Sequence, residues 1–419
     1  MIRAMTLSRR LVAEGHLIDS GLMSKYLAIV VENGGTYELL RFDIGRTVHD
    51  FSRVEMTVAA DGAERLARIL ENLNALGCHP VDTNESIVLK PSAADGTVPD
   101  DFYSTTNHRT RVFHEGRYLD VADQRMDAVI VLRDAAAQDA AARCVKLRDV
   151  RAGDLIVTGL AGVQVFPPFR DRERADFVFM NNEVSSERRV ELAVAQLAAA
   201  MREIRGRRGR IIAVPGPVVV HTGGTRHLGR LVRGGYIQGV LSGNAVGVHD
   251  VEAALFNTSL GLDVSTGIPV SEGHRNHMRA INAIRIAGSL EAAVERGVLK
   301  SGLMHDCIVH RVDLALAGSI RDDGPLPDTL MDMTKAQERY AAILRGTDLV
   351  LILGTMLHGI GVGNMTPSWV RTVCVDIHPA VVTKLVDRGS AQASGIVTDV
   401  GLFLRLLADE LEPDGKGGT

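Results

Sequence analysis

Aromatic residues are scarce in this 419-residue chain: Phe, Trp and Tyr make up 4%, and Trp369 is the single tryptophan. So few rings cannot build the stacking platform that binds single-stranded nucleic acid. A basic excess is missing too. Lys plus Arg is 47 and Asp plus Glu is 51, a formal charge of −4, which argues against electrostatic nucleic-acid or acidic-membrane binding. The four cysteines, Cys78, Cys144, Cys307 and Cys374, include no CxxC pair. They fit neither a disulfide framework nor a zinc site, and buried apolar roles are expected. No run approaches the ~18 apolar residues of a membrane span. The most apolar stretch, Ile211 to Val220, is interrupted by Pro215-Gly216-Pro217. The N-terminus, Met1-Ile2-Arg3-Ala4-Met5, has no apolar signal core. A cytoplasmic protein without a nucleic-acid or membrane partner is expected.

Glycine is in excess. There are 42, about a tenth of the chain, against a usual share of about 7%. A hydrophobic fraction of 46% is that of a folded protein, and the length suggests two or three domains. Either the chain is loose, or many turns bring backbone close to something.

The first part reads as mixed. Tyr26 to Val31 is a helix end or a strand, and Tyr37 to Ile44 alternates as a strand. Ala63 to Leu76 has a helical pattern closed by Gly77. Thr110 to His114, a turn at Glu115-Gly116 and Arg117 to Val121 make a hairpin; Val129 to Leu132 and Leu155 to Thr158 are further strands. Near residue 185 the character changes. Val190, Ala193, Leu197, Met201 and Ile204 repeat at helical spacing after Ser186, a candidate N-cap. The basic run Arg205 to Arg210 reads as a solvated helix end. Beyond it, apolar runs alternate with helices. Strands are expected at Val218 to Val220, Tyr236 to Leu241, Asp348 to Leu353, Arg371 to Val375 and Gly395 to Thr398. Helices are expected up to Arg233, over 246–256 and 274–297, and at the end up to Leu411. The fold class is therefore α/β. A β-rich α+β domain (1–100, continued over 101–185) precedes a doubly wound parallel sheet (186–412) and a disordered tail (413–419).

The glycines of the second half fall at expected strand ends, where open α/β sheets bind ligands. His221-Thr222-Gly223-Gly224 follows Val220, and Ser242-Gly243-Asn244 follows Leu241. Gly354-Thr355-Met356 follows Leu353, and Asp376-Ile377-His378 follows Val375. Backbone N–H groups in such turns can meet an anion at the next helix N-terminus. Asp376 can hold a ribose diol, favouring NAD over NADP, or can simply cap a helix. Asn364 and Asp399 complete the expected dinucleotide site. An ordinary GxGxxG fingerprint is absent, because Gly359-Ile360-Gly361-Val362-Gly363-Asn364 has the wrong spacing.

Several polar clusters have open readings. His249-Asp250-Val251-Glu252 is either an acid/base segment or an acid-rich helix start. His274 and His277 are ligand-spaced but lack a third ligand nearby, so no metal is expected. Ser319 to Pro327 is a rigid turn or a site wall, where Arg321 could grip a carboxylate and Asp322 or Asp323 an ammonium. Phe102 to His108 and Phe179 to Glu187 mix apolar and polar residues, as Asx turns and caps also do.

Long motifs then carry a resemblance. They are Phe102 to Asn107, Glu183 to Glu187, Pro215 to Gly224, Gly243-Asn244, His249-Asp250, Leu316 to Pro327 and Asp387 to Gln392. Over about residues 10–410 the chain resembles the alternative ornithine cyclodeaminase family of archaea and bacteria. Its N-terminal region is similar to a conserved segment of lysine-ketoglutarate reductase/saccharopine dehydrogenase proteins. The same module resembles the C-terminal half of a fused cyanobacterial arginine dihydrolase/ornithine cyclodeaminase. The resemblance implies an NAD domain like that of deoxyhypusine synthase and sirtuins, which accounts for the missing fingerprint. In it Thr222-Gly223-Gly224 would cradle phosphates, and Gly354-Thr355 and Asp376 the adenosine part. It also implies redox-neutral conversion of ornithine to proline and ammonia by a homo-oligomer. By placement, Arg321 would hold the carboxylate, Asp250 move protons and Asn244 position the nicotinamide or amine. Glu183 and Asn107 would close the cleft. The dihydrolase domain is missing, so arginine is not an expected substrate. Asn181-Asn182, Ser242 and Thr225-Arg226-His227 depart from the pattern and put the amino acid in doubt. Net oxidation of an amino acid or opine, cyclisation of lysine, and a non-catalytic NAD- or amino-acid-binding regulator are the competing readings.

Overall fold

The structure, a computed structural model, describes residues 6–18, 21–46, 50–81, 85–133, 140–166, 186–259, 262–263, 268, 270, 275–322, 324–387 and 393–412. Glu183, the Asn181-Asn182 pair, Asp323, His274 and the 413–419 tail lie outside these residues. The chain divides into two units. The first is 1–176 with 367–369, and the second is 177–366 with 370–419.

The first unit holds two sheets. Strands β1 (Thr6–Gly15), β2 (Thr36–Asp43), β3 (Ser52–Asp61) and β4 (His79–Pro80) lie in the order β2-β3-β1-β4. Along β3 alternate residues are buried, so Val54, Met56 and Val58 face helices α1 (Leu22–Glu32) and α2 (Ala63–Ala75). The open reading of Tyr26 to Val31 thus resolves to helix. Tyr26 is buried, and its hydroxyl donates to the Leu76 carbonyl at 2.9 Å. The second sheet contains β5 (Val88–Pro91), β6 (Arg109–His114), β7 (Arg117–Ala122), β8 (Val129–Arg133), β9 (Ala141–Val145), β10 (Leu155–Thr158) and β11 (Val163–Phe166). Its order is β11-β6-β7-β9-β8-β10-β5. The expected hairpin is β6–β7, closed by Glu115 and Gly116, both at positive φ.

The second unit begins with α3 (Ser186–Gly206). There follow β12 (Ile211–Pro215), α4 (Val218–His221), α5 (Thr225–Arg233), β13 (Gly239–Gly243) and α6 (Asn244–Phe256). Next come the pair β14 (Thr258–Ser259) and β15 (Leu262–Asp263), then α7 (Asn276–Ala287), α8 (Leu290–Glu295), α9 (Leu303–Val309), β16 (Asp313–Ala317) and β17 (Thr329–Leu330). The last elements are α10 (Met333–Ile343), β18 (Leu349–Leu353), α11 (Leu357–Met365), β19 (Arg371–Asp376), α12 (Pro379–Asp387), β20 (Ala393–Val397) and α13 (Val400–Leu411). The sheet order is β17-β16-β13-β12-β18-β19-β20, and every pairing is parallel. Both faces are covered. Ile211 and Ala213 of β12 pack into one apolar core, and Ile212 and Val214 into the other. That is why these strands read as unbroken apolar runs.

Two expectations are corrected. Val218 to Val220 is not a strand. The strand ends at Pro215, and Pro217, at φ −56° and ψ −28°, starts a helical turn instead. A proline has no N–H for a ladder, and its fixed φ suits a helix start; this outweighs the β preference of three valines. The single helix expected over 274–297 is two, because Gly288 turns the chain at φ +99° and Ser289 caps α8 through the Ala292 N–H.

Candidate functional site

Chain order along the sheet reverses between β12 and β18. The crevice at the carboxyl ends of such a pair is where doubly wound sheets bind ligands. Here the two turns touch through main chain. Gly216 N–H donates to the Leu353 carbonyl at 2.8 Å, and Gly354 N–H to the Val375 carbonyl at 2.9 Å. A Cβ on Gly216 would overlap the Gly354 carbonyl oxygen and lie 2.8 Å from its carbon. Gly354 sits at φ +61°, where a side chain would collide with Val218.

The β18–α11–β19 segment has the form of a dinucleotide-binding half. Gly354 makes the turn. Five residues on, Gly359 lets α11 approach β18, since a Cβ there would come 2.9 Å from Ile352 Cγ2. These two glycines have the spacing of the first and third glycines of GxGxxG, with Met356 in the middle position. The fingerprint is thus present in reduced form, in a different register from the one tested in the sequence. Asp376 ends β19, is 9% exposed, and accepts the His378 N–H on Oδ1 at 2.8 Å. Its separation from Gly354 is close to the ~20 residues usual for the acid of such a unit.

The expected site residues other than Glu183, which lies outside the described residues, are placed as follows. Ser242 and Gly243 end β13, and the Ser242 hydroxyl donates to the Pro215 carbonyl at 2.6 Å. Thr355 is buried, Met356 is exposed, and Asn364 lies half-buried in the last turn of α11. Ile377 and His378 are exposed. Asp399 caps α13 through the Leu402 N–H at 2.7 Å. Because β12 ends early, Thr222-Gly223-Gly224 is a helix–helix turn and not a strand-end cradle; the Thr222 hydroxyl is bonded back to the Val218 carbonyl at 2.8 Å. Asn107 lies buried in the first unit, where its carbonyl accepts the Ser368 N–H at 2.9 Å.

Two candidates have different tasks from those expected. Asp250 is 1% exposed. Its two oxygens accept the Leu303 and Met304 N–H groups at 2.9 and 2.7 Å, bracing the start of α9. Burial pushes its carboxyl up to about 6, against the pull of those two bonds. Both oxygens are thus taken by main chain at the start of α9, at a residue for which the sequence reading expects proton transfer. Asn244 spans the loop after β16. Its Nδ2 donates to Asp322 at 2.8 Å, and its Oδ1 accepts from Leu326 N–H at 3.1 Å and the Thr329 hydroxyl at 2.9 Å. Its amide is committed to holding that loop, on which Arg321 stands exposed.

Sequence reasoning did not find a buried polar chain beside α6. Glu252 is fully buried. It accepts from the Thr258 hydroxyl at 3.0 Å and bonds His249 Nδ1 at 3.2 Å. Thr258 accepts from Asn276 Nδ2 at 3.0 Å, and Asn276 Oδ1 accepts from Arg279 at 3.2 Å. The His221 ring lies 5.0 Å from that of His249, edge to face, and its Nδ1 meets Ser259 at 2.7 Å. Burial first, then the neighbouring His249, lowers the proton affinity of His221. Gly216, Gly359 and His358 were also missed. His358 packs against Gly243, where a Cβ would meet its Nε2 at 2.8 Å, and its Nδ1 lies 3.3 Å from the Tyr340 hydroxyl. The spacing of Gly354 and Gly359 was the available signal. Among the described residues no cluster of three or more His, Cys, Asp or Glu side chains could hold a metal. No described helix is long and apolar enough to cross a membrane.

Three family models match along the chain. Residues 8–108 match the LOR/SDH bifunctional enzyme conserved region. Residues 109–194 match the first region, and 195–407 the Rossmann fold, of the C-terminal part of ArgZ-like arginine dihydrolases. The ornithine cyclodeaminase of Methanocaldococcus jannaschii is 45% identical over 96% of this chain and 96% of its own. The bifunctional arginine dihydrolase/ornithine cyclodeaminase AgrE of Nostoc sp. is 46% identical over 97% of this chain, which spans 58% of that relative's length. A crystal structure of AgrE in ternary complex with ornithine and NAD+ matches 97% of this chain and 58% of that one, at 45% identity and a TM-score of 0.53. The apo crystal structure of the cyanobacterial arginine dihydrolase ArgZ matches the same shares at 43% identity and a TM-score of 0.84.

Proposed function

The chain belongs to the family that unites the archaeal ornithine cyclodeaminases with the C-terminal part of ArgZ-like proteins, and on that premise we propose that it converts L-ornithine to L-proline and ammonia around a bound, recycled NAD+. The observation that carries the reading is the main-chain crevice between β12 and β18, with Asp376 at the end of the neighbouring strand. The relatives' names and the AgrE complex with ornithine and NAD+ support the same choice of substrate and cofactor.

The residues present fit a dinucleotide. Gly216 and Gly354 let the two turns meet through their main chains. On α11, Cβ atoms at Gly361 and Gly363 would meet nothing within 4 Å, although both residues are half-buried. Asp376 spends one oxygen on the His378 N–H; the other can take a ribose hydroxyl, and its charge would repel a 2′-phosphate. Gly354-Thr355-Met356 and the start of α11 would carry the phosphates, and Ser242-Gly243 would border the nicotinamide end. NAD+ supplies a reversible two-electron oxidation at the substrate α-carbon.

The remaining work falls to the protein. Arg321 would take the α-carboxylate bidentately. Asn244 would keep the loop carrying Arg321 in place through its three hydrogen bonds. Holding the δ-nitrogen near the α-carbon makes the cyclisation intramolecular and removes the entropy cost of a second reactant. The four cysteines are free and buried, which fits a reducing cytoplasm.

The test is mass spectrometry of products from ornithine, lysine and arginine, each incubated with NAD+. Proline and ammonia in equal amounts, without accumulation of NADH absorbance, support the reading. Stoichiometric NADH would make the chain a dehydrogenase, and unconsumed ornithine would sink the proposal.

A further inference from the structure

We propose that His249 and His221 are the proton-transfer pair of the reaction, with His249 oriented by the buried carboxylate of Glu252. The inference rests on the cyclodeaminase reading and goes beyond it by naming the acid/base group.

The direction of every hydrogen bond behind His249 follows from one end of the chain. Arg279 has only donors, so the oxygen of Asn276 faces it at 3.2 Å and the Asn276 amide nitrogen faces Thr258. Thr258 therefore accepts from Asn276 Nδ2 and donates its hydroxyl hydrogen to Glu252 Oε1. The other oxygen, Oε2, is left as an acceptor, and His249 Nδ1 must be the donor to it. The tautomer is thereby set, and Nε2 carries the lone pair. This is the task a buried carboxylate performs on a catalytic imidazole in hydrolase triads. His221 is also held through Nδ1, which meets the Ser259 hydroxyl at 2.7 Å. Among the described residues, no hydrogen bond is made to either Nε2. His221 is exposed while the side chain of His249 is 15% exposed, so the pair runs from solvent inward. His221 ends α4 and His249 lies in the second turn of α6, the helices that follow β12 and β13.

The proton balance of the reaction calls for such a pair. Ornithine enters with both nitrogens as ammonium. The α-nitrogen must lose one proton before its carbon is oxidised. The δ-nitrogen must lose one before its lone pair attacks that carbon. One proton then crosses from the attacking nitrogen to the leaving one, the old carbon–nitrogen bond breaks, and ammonia departs. The two electrons and the hydrogen taken from the α-carbon then return to it as a hydride equivalent, reducing the cyclic imine, and two protons return, one to the ring nitrogen of proline and one to ammonia. Ornithine cation thus becomes zwitterionic proline and ammonium, with no proton gained or lost overall. One imidazole holds one proton, and two neighbouring imidazoles can hold both. The groups facing them are Glu252 and each other, with Ser259 and Thr258 on β14, and Asn276 and Arg279 on α7. Asp250 points away, to the start of α9.

The test compares H249N, H221N and E252Q with the wild type. NAD+ binding is followed by calorimetry, folding by thermal melting, and the ring tautomers by NMR of protein carrying 15N-labelled histidine. A positioned acid/base group is worth about 10²-fold or more. H249N should therefore lose at least about a hundredfold in kcat while NAD+ affinity stays within about threefold. E252Q should lose less and shift the pH–rate profile, as a positioning residue does. The wild-type spectrum, which needs no variant to fold, should show His249 protonated on Nδ1, and E252Q should move it towards the other tautomer. Proline formation by H249N within about tenfold of wild type would overturn the pair. So would a wild-type His249 protonated on Nε2 alone. Absence of proline from the wild type would instead overturn the cyclodeaminase reading, so the two failures are distinguishable.

Discussion

Adding one methyl group at Gly216 tests the strand-end crevice directly. The new Cβ would lie 2.8 Å from the Gly354 carbonyl carbon and 3.0 Å from Thr355 Cβ. Carbon atoms in contact prefer about 3.5–4.0 Å, so the two turns would have to part by roughly 1 Å. Neither obstacle is the end of a flexible side chain. Overpacking of this kind costs about 1–3 kcal/mol. Parting the turns also weakens the 2.8 Å bond from Gly216 N–H to Leu353, worth about 0.5–1.5 kcal/mol. The sum is about 1.5–4.5 kcal/mol, or a fall in Tm of roughly 3–18 °C for a unit of this size. Because the displacement is at the proposed cofactor floor, NAD+ affinity should weaken by at least about tenfold, equivalent to about 1.4 kcal/mol. Calorimetric melting with and without NAD+, and titration of NAD+ into the apo protein, read both effects. G361A is the control for stability: its Cβ meets nothing within 4 Å, and glycine to alanine inside a helix should raise the apo Tm slightly, by about 0.4–1 kcal/mol of stability. If G216A melts within about 1 °C of wild type and binds NAD+ equally well, the close main-chain approach is not what builds this site.

Three further outcomes are expected. Asp250 has its folded pKa raised to about 6 above an unfolded value near 3.9. Its stabilising share is therefore complete below about pH 3.9 and is lost as pH rises through about 6, on the order of 3 kcal/mol. D250N should remove that slope from chemical denaturation measured across pH 4–7, and should keep turnover within about tenfold, since the carboxylate braces α9. N244A removes three hydrogen bonds from the loop after β16, about 1.5–4.5 kcal/mol at the usual net worth of each; hydrogen exchange over residues 318–330 should quicken, and unchanged protection would refute the bracing role. D376A should weaken NAD+ binding by about tenfold or more while NADP+ binding changes little or improves, as expected when one charged hydrogen bond of about 1.5–3 kcal/mol is lost; equal weakening of both would remove Asp376 from the ribose.

Much of the second unit is legible because parallel strands buried on both faces are written as plain apolar runs. Leu349–Leu353 and Arg371–Asp376 stand almost where the sequence puts them. Val218 to Val220 misleads because β preference is a weak local bias, and Pro217 fixes the backbone against it. The Rossmann-like half was read in the wrong register. Gly359 pairs in spacing with Gly354 upstream and not with Gly361 and Gly363 downstream, and Gly354 and Gly359 do the structural work at the turn and at the helix–strand contact. Asp250 was chosen as an acid near the strand ends, yet the helix rotates it toward α9 and turns its neighbours His249 and Glu252 toward α4 and β14. A carboxylate's partners depend on which face of the helix it occupies and on what packs there. The chain from Arg279 to His249 joins residues from α6, β14 and α7. No local spacing encodes it.

The contact between the turns after β12 and β18 is made through carbonyl and N–H groups. Main-chain atoms are the same whatever residue supplies them. Drift in sequence can therefore do little to retune this part of the molecule short of breaking it. On the proposed reading, variation in what the protein accepts would fall on the rim: the Asn244-held loop with Arg321, the open face of α11, and the two imidazoles. A search for altered substrate choice by directed evolution should accumulate changes there and leave residues 215–217 and 354 untouched.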